Sequence, residues 1–242
     1  MRKTLYLQTR ERLMDLILAG KLANGNQLLS EEELATSLEV SRTTIREVLA
    51  SLAREGVISK KQGLGNFIHP SALRATMRID KTCDFINLLE EAGYKAVHVV
   101  NEQTFQTVPA SGDICRKMGL PEGEELFVFE SDYLAGELPA IHCHFYIPNS
   151  LFLERPTTSV ERNIFSFLKK YCNQEATHAI VWFNATTCNH DLAHIFAIAP
   201  HTPLLYWEEI YYNLADDIIC YSEVKFNPHV MCLSMLRKAE LV

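Results

Sequence analysis

No stretch of this chain approaches the run of about eighteen apolar residues that a membrane-spanning helix requires. Met1-Arg2-Lys3-Thr4-Leu5-Tyr6 leads into an amphipathic pattern without the apolar core of a signal peptide. A cytoplasmic protein, neither exported nor in contact with a membrane, is therefore expected. The seven cysteines, at 83, 115, 143, 172, 188, 220 and 232, are odd in number and contain no CxxC pair. That pattern argues against a disulfide framework or a zinc ribbon and fits reduced thiols. Positive charge is scarce, since 23 Lys and Arg stand against 30 Asp and Glu for a formal charge of −7. So acidic a chain is a poor non-specific coat for nucleic acid. Nor does any nucleophile–base pair or metal triad stand at a recognisable spacing, so neither an enzyme nor a cofactor is expected.

What is present is ordinary globular composition, 48% hydrophobic and 22% charged, over 242 residues, enough for two domains. Charge is divided unevenly between them. Residues 1–70 carry ten Lys and Arg against eight Asp and Glu, while the rest carries thirteen against twenty-two, which gives +2 and −9. A small positive module on an acidic body fits selective contact with DNA by one end.

That module contains the most informative stretch, Ser41-Arg42-Thr43-Thr44-Ile45-Arg46-Glu47-Val48-Leu49. Ser41 is a good N-cap, and Ile45, Val48, Leu49 and Leu52 recur at three- and four-residue steps to make one buried stripe. Arg42, Thr43, Thr44 and Arg46 are left on the other faces, where a recognition helix presents base and phosphate contacts. Upstream, the spacing predicts a helix over 6–17, turn chemistry at Asn24-Gly25-Asn26, and a capping box at Ser30-Glu31-Glu32-Glu33 opening a second helix with Leu34, Ala35 and Leu38 inward. Downstream, Gly56 closes the third helix. Two β-prone runs around Gln62-Gly63-Leu64-Gly65 then predict a hairpin with Lys60 and Lys61 at its stem, a wing lying against the phosphate backbone.

In order and spacing, Leu28 to Ala35, Val40 to Leu49 and Gly63 to Ile68 resemble the winged helix-turn-helix head of the GntR family of bacterial transcription regulators. The resemblance covers about seventy residues. It adds Ser30, Ser41, Gly63 and Gly65 to Arg42, Thr43, Thr44, Arg46, Lys60 and Lys61 as expected DNA-binding residues. The family usually has arginine where this chain has Glu32 and Leu64. Neither residue is given a DNA-contacting role, and weaker phosphate attraction or an altered operator preference is expected.

Residues 70–80, opening on Pro70 without a sustained period, read as a linker between domains at 1–69 and 81–242. The body holds an internal repeat, in which residues 113–133 align without a gap on 191–211 at an offset of 78. Met118 meets Phe196, Leu126 meets Leu204, Phe129 meets Trp207, Glu130 meets Glu208 and Tyr133 meets Tyr211. Each copy reads as a helix, a turn and a hairpin, which implies an α+β body of one antiparallel sheet with helices on one side.

This organisation resembles the UTRA effector-binding domain of the HutC-type branch of the GntR family, whose fold is like that of chorismate lyase. The resemblance implies a repressor, working as a homodimer on a palindromic operator in double-stranded DNA, whose affinity is set by a small molecule. By the same resemblance Asp84, Phe85, Ser131 and Tyr133 line the pocket together with the returning strands. The absence of arginine at 130–133 argues against a sugar phosphate. On the returning strands His142, His144 and Tyr146, and likewise Tyr221, Glu223 and Lys225, alternate and so share a face. They suit a polar or zwitterionic metabolite. Two other readings stand beside this one: a metal-responsive regulator using His142-Cys143-His144 or Cys188, His190 and His194, and a lyase-like enzyme with a DNA-binding module. No metal site is assigned.

Overall fold

The computed structural model describes residues 4–21, 23–81, 84–157 and 161–237. The chain divides into two compact units, Met1–Lys81 together with Ser234–Val242, and Thr82–Leu233. Among the described residues, no helix is long and apolar enough to cross a membrane.

In the first unit, α1 (Leu5–Leu18) is capped by Thr4, whose side chain accepts from the Leu7 amide, and it buries Leu13 and Ile17. The Gly25-Asn26 turn joins β1 (Ala23–Asn24) to β2 (Gln27–Leu28). Ser30 and Glu33 form the reciprocal capping box of α2 (Glu31–Leu38), with Glu33 N to Ser30 Oγ at 3.2 Å and Ser30 N to Glu33 Oε2 at 2.8 Å. The helix stops at Glu39, which takes a left-handed conformation at φ 57. Ser41 then caps α3 (Arg42–Arg54), which buries the expected Ile45, Val48, Leu49 and Leu52. The wing follows as β3 (Ile58–Lys61) and β4 (Gly65–Ile68), in a sheet of order β1-β2-β4-β3.

The expected linker is not free chain. Pro70 at the first helical position starts α4 (Pro70–Arg74), and residues 70–81 belong to the first unit. A short stretch without period hid both the helix and the distant partners that fix residues 76–80.

The second unit is a six-stranded antiparallel sheet of order β5-β6-β7-β10-β9-β8. Its elements are α5 (Phe85–Glu91), β5 (Ala96–Pro109), α6 (Gly112–Met118), β6 (Glu125–Ala135), β7 (Leu138–Pro148), α7 (Ile164–Cys172), β8 (His178–Thr187), α8 (His190–Phe196), β9 (Pro203–Tyr212) and β10 (Ile218–Phe226). The internal repeat is visible in the pairing, since Glu130 of β6 faces His144 of β7 and its repeat partner Glu208 of β9 faces Glu223 of β10. His144 and Glu223 are thus equivalent residues of the two halves, and they pair with each other across β7 and β10. A pseudo-two-fold axis passes between them.

Alternation along the strands sends successive residues to opposite faces. Phe127, Phe129, Ser131 and Tyr133 lie under α5 and α7, where Phe129 stacks on Phe167 of α7 at 4.7 Å and Phe85 of α5 meets Tyr133 at 5.1 Å. The repeat helices α6 and α8 share the other face. There Cys115 and Met118 of α6 pack with Leu126, Val128, Ile210 and Tyr221.

Candidate nucleic-acid interface and ligand cleft

At the N-terminal end of α3, Arg42, Thr43 and Arg46 are exposed, while Thr44 is half-buried. Ser41 works as the cap: its Oγ accepts from the Thr44 amide at 3.1 Å and lies 2.8 Å from Thr44 Oγ1. Ser30 is likewise committed to its capping box. Arg42, Arg46 and Lys60 do not stand free. Arg46 Nε donates to Glu31 Oε2 at 2.7 Å, Lys60 Nζ approaches Glu31 Oε1 at 3.7 Å, and Arg42 lies 3.8 Å from Glu32. The Arg46 hydrogen bond holds the Glu31 carboxyl below its ordinary range. Glu31, which residue order marked only as a helix-start residue, therefore orients one arginine and one lysine on the same exposed edge. At the wing, Gly63 (φ 75) and Gly65 (φ 98) take backbone conformations that suit glycine, leaving Leu64 59% exposed at the tip. Gln27 Nε2 donates to Leu64 O at 2.6 Å and ties the wing to β2.

In the second unit the sheet separates the residues expected to line one pocket. Ser131 and Tyr133 are fully buried beneath α5 and α7, with Phe85 stacked on Trp207 and edge-on to Tyr133 and Phe226. Asp84 caps α5 by accepting from the Ile86 amide at 2.9 Å, and it accepts from Asn163 Nδ2 at 2.7 Å. These four belong to a packed aromatic core and its cap. His142, His144, Tyr146, Tyr221, Glu223 and Lys225 lie on the opposite face, with Glu130 and Asp132 beside them. Parity along β6 separates 131 and 133 from 130 and 132, and the resemblance gave only the stretch.

On that second face a cleft of about 560 Å³ is lined by Glu130, His142, His144 and Lys225 from the sheet and by Thr186, Asn189, Asp191 and Ile195 around α8. His142 Nδ1 lies 2.9 Å from Asp132 Oδ1, and the His144 ring stacks on Tyr146 at 4.6 Å. Burial lowers the His144 pKa, which favours a neutral ring able both to donate and to accept. Lys225 Nζ donates to Glu223 Oε2 at 3.2 Å, and Tyr221 OH to Glu223 Oε1 at 3.4 Å. Across the pseudo-two-fold a smaller cleft of about 390 Å³ is lined by Lys117, Trp182, Glu208, Ile210, Tyr212 and Tyr221. Sequence reading missed it, although the repeat equates Glu208 with Glu130. Lys117 fills much of its polar demand, reaching Asp113 at 2.7 Å, Glu208 at 2.8 Å and Tyr221 OH at 3.2 Å. Burial disfavours the Lys117 charge, but these hydrogen bonds outweigh it and raise the pKa.

His190 and His194 are exposed on α8, and among the described residues no group of three or more His, Cys, Asp or Glu is placed to hold a metal ion. Cys115, Cys143, Cys172, Cys188 and Cys220 are buried free thiols, Cys232 is exposed, and Cys83 lies outside the described residues.

Beneath α7 the carboxyl of Glu209 is 2% exposed. Burial pushes its pKa up to about 7 from an ordinary 4.5, against the opposing hydrogen bond donated by Tyr211 OH at 2.8 Å. A pKa raised by folding means that the protonated carboxyl supports the fold. That contribution is whole below pH 4.5 and disappears as pH rises through about 7. His98 and His144, whose pKa values burial lowers, act in the opposite sense, so the comparison must be with a variant at 209. Glu209→Gln is expected to gain stability relative to the parent between about pH 5 and 8, by of order 1–3 kcal/mol at the upper end. Urea titrations across that range check this, and parallel profiles would contradict it.

Comparison with known proteins agrees with both halves of this description. Residues 98–230 match the UTRA domain, and residues 5–68 match the bacterial regulatory proteins of the gntR family. The chain is 30% identical over 124 residues to the "Probable fructoselysine utilization operon transcriptional repressor" of Escherichia coli K12, covering 51% of this chain and 49% of that protein. It thus spans about half the length of the fructoselysine-type relatives it matches. It is 21% identical to the HTH-type transcriptional repressor NagR of Bacillus subtilis over 83% of this chain and 81% of that protein. The crystal structure of a possible transcriptional regulator, YydK, of Bacillus subtilis superposes with a TM-score of 0.77 at 17% identity, covering 98% and 100% of the two chains, a likeness of fold. With the UTRA match alone spanning more than half of its residues, the chain belongs to the UTRA-containing gntR family of bacterial regulatory proteins.

Proposed function

We propose that the chain is a ligand-controlled DNA-binding repressor, a homodimer that reads a palindromic operator. The first unit binds DNA and the second binds the effector. The observation that carries this is the exposed edge of the first unit, where Arg42, Thr43 and Arg46 open a capped helix beside Lys60 and Lys61 of a glycine-tipped wing. One such head reaches only a half-site, so two copies of the chain are required for useful affinity. Relatives named as transcriptional repressors support the direction of control.

The effector is assigned to the cleft around Glu130, His142, His144 and Lys225. Its mixed charge and neutral imidazole favour a polar or zwitterionic molecule carrying an amine for the carboxylate and an acceptor for the lysine. In a thermal-shift screen of such compounds, a true effector stabilises the chain by about 2–3 kcal/mol at a hundredfold excess over Kd. The same compound should lose that effect on Glu130→Ala and keep it on Ser131→Ala.

The DNA-binding reading is tested by selecting duplexes from a random pool and titrating the enriched one at several salt concentrations. Recovery of a palindrome with salt-sensitive binding supports it, and no enrichment rejects it. Glu32 gives a sharper prediction. It is exposed on the DNA side and draws Arg42 toward itself. Glu32→Arg is expected to tighten binding about tenfold at roughly 0.1 M salt and to steepen the salt slope by about one, as one added phosphate contact does. An unchanged slope would place residue 32 away from the backbone.

A further inference from the structure

The C-terminal end of α3 is held by a segment from far along the chain. Ser234 N donates to Met77 O and Ile79 N to Ser234 O, both at 3.0 Å, forming a parallel bridge between Arg78 and Ser234. Ser234 Oγ adds a bond to Thr76 O at 2.6 Å. Two residues on, the Leu236 amide donates to Asp80 Oδ1 at 3.2 Å. Asp80 also accepts from Nε and Nη2 of Arg78. Arg78 is 1% exposed, and its Nη2 donates in addition to Glu55 O at 2.8 Å. Glu55 is the C-cap of α3. The next residue, Gly56, has φ 72 and no side chain, and Leu236 lies over it so closely that a Cβ there would collide with Leu236 Cδ2.

A guanidinium so deeply buried must have its charge matched and its N–H groups bonded. Asp80 supplies the charge and, with Glu55 O, bonds Nε and Nη2, while Nη1 has no partner among the described residues. The last turn of α3 is thus held by Arg78 and covered by Leu236. A thirteen-residue helix is about 20 Å long and rigid, so the setting of its last turn governs where its first turn points. That first turn carries Arg42 and Arg46.

We infer that the tail at Ser234–Arg237 is a positioning strap for the recognition helix, with Leu236, Asp80 and Arg78 as its working residues. The inference rests on the DNA-binding function proposed for the first unit. The strap sets the geometry of base contact and leaves the phosphate-attracting charge unchanged. It also continues directly from Leu233, the last residue of the second unit.

The test uses the whole chain with Leu236→Asp, Leu236→Ala and Leu236→Met, a duplex selected by the parent protein, and an unrelated duplex of the same length. Leu236→Asp is expected to weaken binding to the selected duplex by at least about tenfold and to the unrelated duplex by less than about twofold. Exchange of the Gly56 and Val57 amides should speed by about tenfold while that of Leu34 in α2 stays put. Leu236→Met should restore both. Should Leu236→Asp unfold the head, shown by fast exchange at Leu34, Leu236→Ala decides by the same ratio. Parental discrimination between the two duplexes in a folded variant overturns the strap, and so does an equal loss on both. If the parent selects no duplex, the DNA-binding reading fails by itself, and exchange at Gly56 and Val57 still judges the mechanical part.

Discussion

Replacing Arg42 and Arg46 together by alanine lowers affinity for the selected duplex by about 30-fold to 10⁴-fold, as expected for two base-reading contacts of roughly 1–3 kcal/mol each. Both side chains are more than half exposed, 56% for Arg42 and 61% for Arg46, so the fold does not depend on them. Removing Arg46 also takes from Glu31 its shorter ion pair, leaving only Lys60, at 3.7 Å, to balance a carboxylate on the edge proposed to meet phosphate. The double variant therefore loses two attractions and uncovers one repulsion. Arg54, exposed in the last turn of the same helix, is the control, since Arg54→Ala should change binding by less than about twofold. Anisotropy titrations at fixed salt give all three values. A double variant that binds like the parent would remove α3 from the interface.

In the second unit the largest expected effect is on stability. Phe129 is 1% exposed and lies between Phe145 at 5.1 Å and Phe167 at 4.7 Å, with Phe105 at 5.8 Å. Deleting a ring at such a position removes its burial and leaves a cavity, for a cost of about 3–5 kcal/mol. Phe129→Ala should lower the urea midpoint of the strand-rich unit accordingly. The same experiment separates the two faces of the sheet, because Lys225→Ala on the cleft side should cost less than about 1 kcal/mol. A loss below about 1 kcal/mol at Phe129 would mean that the α5 and α7 face is loosely filled, and would reopen it as the ligand side.

The local chemistry of the first unit was open to reading from residue order. Ser30 with Glu33, Ser41 before an apolar stripe, and glycines at 56, 63 and 65 each satisfy a requirement set within a few residues, and each appears where expected. The internal repeat was equally legible, because two halves that must build the same hairpins keep the same apolar spacing. What stayed hidden depends on partners distant in sequence. Nothing near Ser234 announces Met77, and nothing in residues 70–80 announces Leu236 or Glu55. Helix α7 and strand β8 were not anticipated at all, and α7 packs Phe167 and Phe165 on Phe129 and Tyr211 of the aromatic core. For the cleft, alternation grouped His142 with His144 and Tyr221 with Glu223, yet it could not say which helices face them. Ser131 and Tyr133 were joined to that group by family likeness alone. One step of parity along β6 puts them on the other face.

Methylation protection on the selected duplex tests the central claim most directly, because guanine N7 lies in the major groove and adenine N3 in the minor groove. If the Ser41-capped helix enters the major groove from each of two copies, guanine N7 is protected in two half-sites about ten base pairs apart, centre to centre. Protection at those guanines should vanish for the Arg42→Ala, Arg46→Ala chain. Protection confined to adenine N3, or guanine protection that survives the double substitution, would contradict the account.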